Sequence, residues 1–264
     1  MLTVLKLGGS ILGGNGATTA AHAALARAVA RRAAAGEQLC LVHGGGAALT
    51  AFLSQQKIPT RFHQGLRVTD AATLEAAMMV LAGSVNKRLT AALNLALAAA
   101  GAGVRAVGLC GVDGNCVLAV PADPDLGYVG QVRGGETALL RALVEAGFLP
   151  VLASVAAGPS GPLNVNADSF AAACAAQLGA SRLSFVTDVP GVLDTAGAVV
   201  PALGMDELAA WSAEGRVHGG MLPKLAACRQ ALERGVARVE VIGAAALLNG
   251  AAPAGTQITL GSSA

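Results

Sequence analysis

Short apolar runs recur along the chain and close on glycine. Between them lie longer stretches whose apolar positions return every three or four residues. The first pattern is that of buried strands and the second that of helices packed by one face. Read this way, Leu2–Leu7 is a strand ending in Gly8-Gly9-Ser10, and residues 39–42 form a strand ending in His43-Gly44-Gly45-Gly46. Further strands are expected at 104–108, 149–153, 183–186 and 239–242. Helices are expected at 18–35, with Thr18 or Thr19 as cap, at 47–55, and from the Asp70 cap to about 81, with a second running to about 100. Others are expected at 136–146, 168–178 and 222–234. Pro59 and the alternation across residues 58–68 predict a hairpin, and residues 117–120 and 128–132 a second one around the turn 121–127. No internal repeat is visible.

Alternating strand and helix implies a mainly parallel sheet covered on both faces, an α/β fold. Ligands of such sheets sit beyond the carboxyl ends of the strands, and the glycine clusters fall at those ends. A change of lobe is expected between residues 164 and 182.

Six segments carry candidate chemistry. In Lys6-Leu7-Gly8-Gly9-Ser10, two glycines after a strand-end lysine let backbone N–H groups and an ammonium face one anion; an ordinary turn with a solvated lysine is the plainer alternative. In His43-Gly44-Gly45-Gly46, no side chain stands between backbone and ligand. A similar HGGG segment builds oxyanion holes in esterases, but the GxSxG elbow those enzymes need is missing, and His43 reads as structural. In Gly65-Leu66-Arg67-Val68-Thr69-Asp70, an arginine before a capped helix suits bidentate capture of a carboxylate, or else lies on the surface. In Asn164-Val165-Asn166-Ala167-Asp168, alternate residues of an extended segment project together; an Asx turn with Asp168 as helix cap is the structural alternative. Thr187-Asp188-Val189-Pro190-Gly191-Val192-Leu193 follows a strand and turns through Pro-Gly. In Gly219-Gly220-Met221-Leu222-Pro223-Lys224, a lysine stands in the first turn of a helix, against the helix dipole, which points to anion binding. Walker A and protein-kinase signatures are absent, as is a GxGxxG that opens a helix after the first strand.

The bulk properties narrow the partners. Eighteen Lys and Arg against sixteen Asp and Glu give a net charge of +2, too small to attract nucleic acid or an anionic membrane. A hydrophobic content of 54% excludes disorder. The five cysteines, with no CxxC pair, argue against a disulfide scaffold or a structural zinc. The N-terminus lacks a signal-peptide layout, and the uncharged stretch between Arg88 and Arg105 is too short and too broken to span a membrane. A soluble, cytoplasmic enzyme is expected.

In their order and spacing, these six segments resemble the amino acid kinase family, from residue 3 to about residue 260. The likeness is strongest to the members that phosphorylate N-acetyl-L-glutamate. It implies an open, mainly parallel eight-stranded sheet sandwiched between helices. An N-terminal lobe, residues 1–172, would hold the acyl substrate and the dimer contact; a C-terminal lobe, residues 173–264, would hold ATP. The implied reaction is transfer of the γ-phosphoryl of ATP to the substrate γ-carboxylate, giving an acyl phosphate, the second step of arginine biosynthesis. By the same resemblance, Lys6 and Lys224 neutralise the transferring phosphoryl group and Asp168 positions both lysines. Gly8, Gly9 and Gly45 donate backbone N–H groups to that phosphoryl group. Gly45, Gly46, Arg67, Asn164 and Asn166 bind the acyl substrate, with Arg67 on its α-carboxylate. Asp188, Val189, Pro190, Gly191, Val192 and Leu193, together with Arg216, Val217 and His218, face the nucleotide. Mg²⁺ would be held mainly by the nucleotide phosphates, with no metal site of the protein's own. A carboxylate nucleophile is already ionised at neutral pH, so the reaction needs no general base.

The first strand begins at residue 2, without the N-terminal helix of arginine-inhibited hexameric relatives, so an arginine-insensitive homodimer is expected. Ala156-Ala157-Gly158 departs from the usual start of the hairpin before Asn164. Two alternatives share the fold: a kinase of carrier-linked aminoadipate in lysine biosynthesis, and a non-catalytic nucleotide or amino acid sensor.

Overall fold

The structure, a computed structural model, describes residues 1–9, 20–63, 65–215, 221–249 and 255–261. The first half contains β1 (Leu2–Leu7), α1 (Ala20–Ala34), β2 (Gln38–His43), α2 (Gly46–Gln55), the two-residue strands β3 (Phe62–His63) and β4 (Leu66–Arg67), and α3 (Ala71–Ala77). A π-helical stretch, Met78–Val85, joins α3 to α4 (Asn86–Ala99), and β5 (Arg105–Cys110) follows. Then come β6 (Leu118–Pro121), β7 (Val129–Gly134), α5 (Ala138–Glu145), β8 (Phe148–Ala153), β9 (Val155–Gly158) and β10 (Gly161–Val165). The remainder comprises α6 (Ala167–Leu178), β11 (Arg182–Thr187), β12 (Ala202–Gly204), α7 (Met205–Ala213), α8 (Met221–Glu233), β13 (Arg238–Gly243), α9 (Ala244–Asn249) and β14 (Gly255–Thr259).

The main sheet has eight strands in the order β12-β14-β13-β11-β1-β2-β8-β5. All its neighbours are parallel except β13 and β14. The expected eight-stranded, mainly parallel sheet between helices is therefore observed. Its central strands read as nearly continuous apolar runs because both faces are covered. Leu5 and Leu7 of β1 point into the core shared with α1 and α4, while Val4 packs into the core built around α6 and α8. Lys6 therefore stands on the α6 face, at the carboxyl end of the strand.

A second, smaller unit was not foreseen: β6, β7, β9 and β10 close on themselves in the order β10-β7-β6-β9. It rests on the carboxyl edge beside β8 and supplies one wall of the site. α6 packs against β1, β2 and β7 as well as β11 and α8, so it touches both halves of the chain.

The helical region after Asp70 departs from expectation. Asp70 does cap α3, accepting from Thr73 N at 2.8 Å. But the two helices expected to 81 and to 100 are one continuous rod with a π-helical middle. Its continuation positions Asn86, fully buried, so that Nδ2 reaches His43 Nε2 at 3.0 Å, Val151 O at 2.8 Å and Leu109 O at 3.2 Å. The elements β12, α7, α9 and β14 went unassigned in the sequence, being short or lacking a clear period. The expected caps Thr18 and Thr19, and Ser10, lie outside the described residues.

Candidate active site

The strand order fixes where a site can form. From β1 the chain order runs outwards in both directions, to β2 and β8 on one side and β11 and β13 on the other. The carboxyl ends of parallel strands meet at this switch point, and helices that follow such strands start there. Gly8 and Gly9 leave β1 here, Gly44 to Gly46 leave β2, and Asp188 leaves β11.

Three charged side chains converge at that edge. Lys6 Nζ lies 2.8 Å from Asp168 Oδ1. Lys224 Nζ lies 3.2 Å from Oδ1 and 3.3 Å from Oδ2 of the same carboxylate. Asp168 sits in the first turn of α6, and Lys224 in the first turns of α8, which packs beside α6. Phe185, paired in register with Lys6, is fully buried beneath them, and Lys224 Nζ stands 5.3 Å from its ring centroid. A cation over a ring face is held without a second carboxylate.

Burial works against the charges of Asp168 and Lys224. It would raise the Asp168 carboxyl, but the Lys6 and Lys224 ammonium groups together outweigh it and leave the acid below its ordinary value. Lys224 is lowered: burial and the nearby Lys6 charge exceed the opposing pull of Asp168. The cluster carries two positive charges on one negative, so it favours an anion.

A cavity of about 280 Å³ opens beside the cluster, near the small end of the roughly 300–1,000 Å³ typical of ligand pockets. Lys6, Asp168, Gly9, Gly44, Gly45 and Gly46 line it, as do Arg67, Asn164 and Asn166. Gly8 does not: a Cβ there would come within 2.7 Å of Val186 O, so its small size serves the packing of β1 against β11.

The glycine loop has a steric reason for its sequence. Gly45 has φ 145°, a conformation that side chains rarely adopt, and a Cβ there would come within 2.8 Å of Leu81 Cδ2. Gly45 precedes α2, whose first turn has no acidic residue and no side-chain cap, so its free N–H groups can meet an anion. His43 is fully buried, and burial pushes its pKa down to about 4. It is a neutral strut: Nδ1–H donates to Gly44 O at 2.7 Å and Nε2 accepts from Asn86. The tautomer follows because the Asn86 amide nitrogen can only donate.

Arg67 closes the cavity from β4. Its Nη2 donates to Thr50 Oγ1 at 2.7 Å and to Gly46 O at 3.3 Å, and the guanidinium stacks 4.8 Å from the Phe62 ring. Asn164 donates to Thr69 Oγ1 at 3.1 Å. Asn166, not Asp168 as in the structural alternative, is the cap of α6, its Oδ1 accepting from Asp168 N at 2.9 Å and Ser169 N at 3.1 Å. Asp168 is thereby free to meet the lysines. It shares the cavity with Asn164 and Asn166 because a helix begins between them, not because a strand continues.

On the β11 side, Asp188 and Pro190 are exposed, while Gly191 and Val192 are buried. Val192 N donates to Thr256 Oγ1 at 2.8 Å, and a Cβ at Gly191 would come within 2.8 Å of the same oxygen. These two residues fasten the loop; Asp188, Val189 and Leu193 retain exposure. None of the six lines the 280 Å³ cavity. Arg216, Val217 and His218, with Gly219 and Gly220, lie outside the described residues.

Sequence reasoning missed Asn86, Leu81, Phe185 and Ser154, which set the glycine loop, the lysine pair and the cavity wall. Each is a single residue of ordinary type in an ordinary element, and nothing local marks it.

Residues 1–243 match the amino acid kinase family. The chain is 43% identical over 247 residues to the acetylglutamate kinase of Solibacter usitatus, covering 93% of this chain and 92% of that one. It is 45% identical over 249 residues to the acetylglutamate kinase of Acidobacterium capsulatum, with the same coverage. Among solved structures, it resembles smu.665 from Streptococcus mutans UA159 with a TM-score of 0.82 and 28% identity over 98% of both chains.

Proposed function

We propose, from the premise that this chain belongs to the amino acid kinase family, that its cleft joins ATP to the side-chain carboxylate of N-acetyl-L-glutamate. The chain is a phosphotransferase, and its place is the phosphorylation step of arginine biosynthesis. The observation that carries the assignment of residues is the meeting of Lys6 and Lys224 on Asp168, at 2.8 and 3.2 Å.

Phosphoryl transfer asks little covalent chemistry of a protein; it asks for alignment and for positive charge where negative charge moves. Lys6 and Lys224 supply that charge from two sides, and Asp168 keeps them apart and aimed. Gly45 and Gly46 offer backbone N–H groups, assisted by the dipole of α2. Arg67 takes the α-carboxylate, with Asn164 and Asn166 beside it. The substrate carboxylate attacks as it stands, without a base.

ATP supplies the phosphoryl group, and its Mg²⁺ neutralises the phosphates. The fit is supported by the buried Lys224 ammonium, the half-buried Lys6 ammonium and a run of unobstructed backbone at the same edge. The metal would be held mainly by the nucleotide phosphates. The loop from Asp188 to Leu193 borders the nucleotide, and the family likeness assigns Arg216, Val217 and His218 to the nucleotide as well. The lobes divide within α6, residues 1–172 holding the acyl substrate and residues 173–264 the nucleotide. The protein works as a homodimer in the cytoplasm. Among the described residues, no helix is long and apolar enough to cross a membrane.

An ATP-dependent hydroxylamine assay tests the reaction. Hydroxamate is expected with N-acetyl-L-glutamate and little with glutamate, aspartate or aminoadipate. A preference for carrier-linked aminoadipate would move the reading to the lysine pathway. Binding of ATP without hydroxamate from any acceptor would leave a sensor.

A further inference from the structure

Ser154 is the single residue between β8 and β9, where the chain leaves the main sheet for the small closed unit. Its backbone is fastened on both sides. The N–H donates to His43 O at 3.2 Å, and the carbonyl accepts from Val165 N at 3.0 Å. It thus ties the residue before Gly44 to the residue before Asn166. Ser154 is only 2% exposed, yet it lines the cavity, where it is the one hydroxyl-bearing side chain among the described residues. Among the described residues, no group hydrogen-bonds to its Oγ. The little exposure that Ser154 keeps includes this oxygen, which is not among the buried atoms left without a partner. A hydroxyl at a cavity wall with no protein partner is completed by what enters the cavity.

We propose that Ser154 is a positioning residue for the acyl substrate, its hydroxyl donating to the carboxylate that is phosphorylated. The inference rests on the phosphotransfer reading above. Its place in the chain selects that end of the substrate: Ser154 is joined to the residues preceding Gly44 and Asn166, whereas Arg67 is anchored on α2 through Thr50. The chemistry selects a hydroxyl. One oxygen of the carboxylate must keep its electron density to attack phosphorus, while the other must be held so that the attacking lone pair is aligned. A cation on the second oxygen would weaken the nucleophile. A neutral donor fixes the angle and withdraws less charge. No proton is transferred.

The test compares Ser154→Ala and Ser154→Cys with the parent chain, each substrate saturated in turn in the hydroxylamine assay. The expected result for Ser154→Ala is a fall in kcat of about 10- to 100-fold, the range for one hydrogen bond to a charged group. The KM for ATP and the melting temperature without ligand stay unchanged. Cysteine, a weak donor of similar shape, falls between. An alanine variant with parental kcat and KM overturns the proposal. So does a raised KM for the acyl substrate at unchanged kcat, which places the hydroxyl on another part of the substrate. A lowered melting temperature with loss of both substrates marks a purely structural serine and equally overturns it. If the parent chain yields no hydroxamate, the phosphotransfer reading fails instead. Thermal stabilisation by N-acetyl-L-glutamate alone, smaller in Ser154→Ala than in the parent, then separates contact from no contact.

Discussion

Two stretches of the same sheet edge, beyond β2 and β8 and beyond β11 and β13, are built in different ways. On the β2 side the edge is walled. The closed unit of β6, β7, β9 and β10 stands over it, Arg67 and Phe62 cover it, and buried side chains from several elements face one cavity. On the β11 side, a loop crosses the strand ends, pinned by Thr256 and leaving Asp188 and Pro190 exposed. The difference matches the proposed division of labour, with the acyl substrate on the β2 side and the nucleotide on the β11 side. Recognising one acyl amino acid means satisfying several polar groups of fixed spacing, which takes an enclosed set of side chains. Holding a nucleotide can rely more on backbone and on its own charge. The lysines cross the divide: Lys6 comes from β1 and Lys224 from α8, and they meet on one carboxylate of α6.

Breaking that crossing should have the largest effect. Lys6→Met or Lys224→Met is expected to lower kcat by about 10²–10³-fold, as loss of one preorganised charge donor does elsewhere. Calorimetric titration should find each substrate still bound by its own side. A variant that keeps parental kcat would remove that lysine from the reaction. pH sharpens the same point. Lys224 is lowered from its ordinary 10.5, so its ammonium deprotonates earlier than a free lysine would. The rate should therefore fall on an alkaline limb below 10.5. Between the folded and unfolded values the unfolded chain binds more protons, so stability rises with pH as the rate falls. Asp168, lowered from 3.8, contributes stability that is complete above that value and lost as pH falls through its folded value. Opposite slopes of stability and rate at high pH can be read by thermal melts alongside initial rates.

The comparison also explains what the sequence made legible. The central strands and glycine turns were readable because a doubly covered strand is a plain apolar run and a ligand-facing turn is written in glycine. Lys6, Arg67, Asn164, Asp168 and Lys224 stood out as polar residues interrupting those patterns. The walls did not. The closed unit depends on pairings such as Asn164 with Val129 and Leu118 with Ala157, far apart in the chain. The π-helical stretch arises in a run, Met78–Val85, that any helical periodicity would accept. Asp168 meets the lysines as the resemblance implied, while the cap that the structural alternative gave to it belongs to Asn166; an Asn and an Asp cap helices about equally well, so sequence alone does not tell which one does so.

The walled side should be sensitive to shape. Gly45→Ala places a Cβ against Leu81 at a backbone angle that alanine adopts only under strain, about 1–3 kcal/mol. A shift of the loop by an ångström could cost up to about 10²-fold in kcat/KM for the acyl substrate. The KM for ATP should change far less. Leu81→Ala in the same chain relieves the contact but not the angle, so recovery should be partial. Complete recovery would make the strain unimportant, and an equal rise in both KM values would deny that the two sides are separately built.

The pinned loop offers the complementary and smallest effect. Thr256 is fully buried and Val192 is 2% exposed, so Thr256→Val leaves the Val192 N–H without its acceptor in a dry setting. The cost is about 1–3 kcal/mol, and part of it can be escaped by letting the loop lift. Because valine fills the same volume, the core beneath should stay packed. A rise of a few-fold in the KM for ATP is therefore expected, with the KM for the acyl substrate unchanged and a modestly lowered melting temperature. Measured beside Gly45→Ala, this gives a double dissociation: one variant injures the acyl side, the other the nucleotide side. If Thr256→Val instead altered the acyl KM, the loop would be coupled to the cavity through the lysine pair. The sheet edge would then have to be treated as one site with a single stiffness.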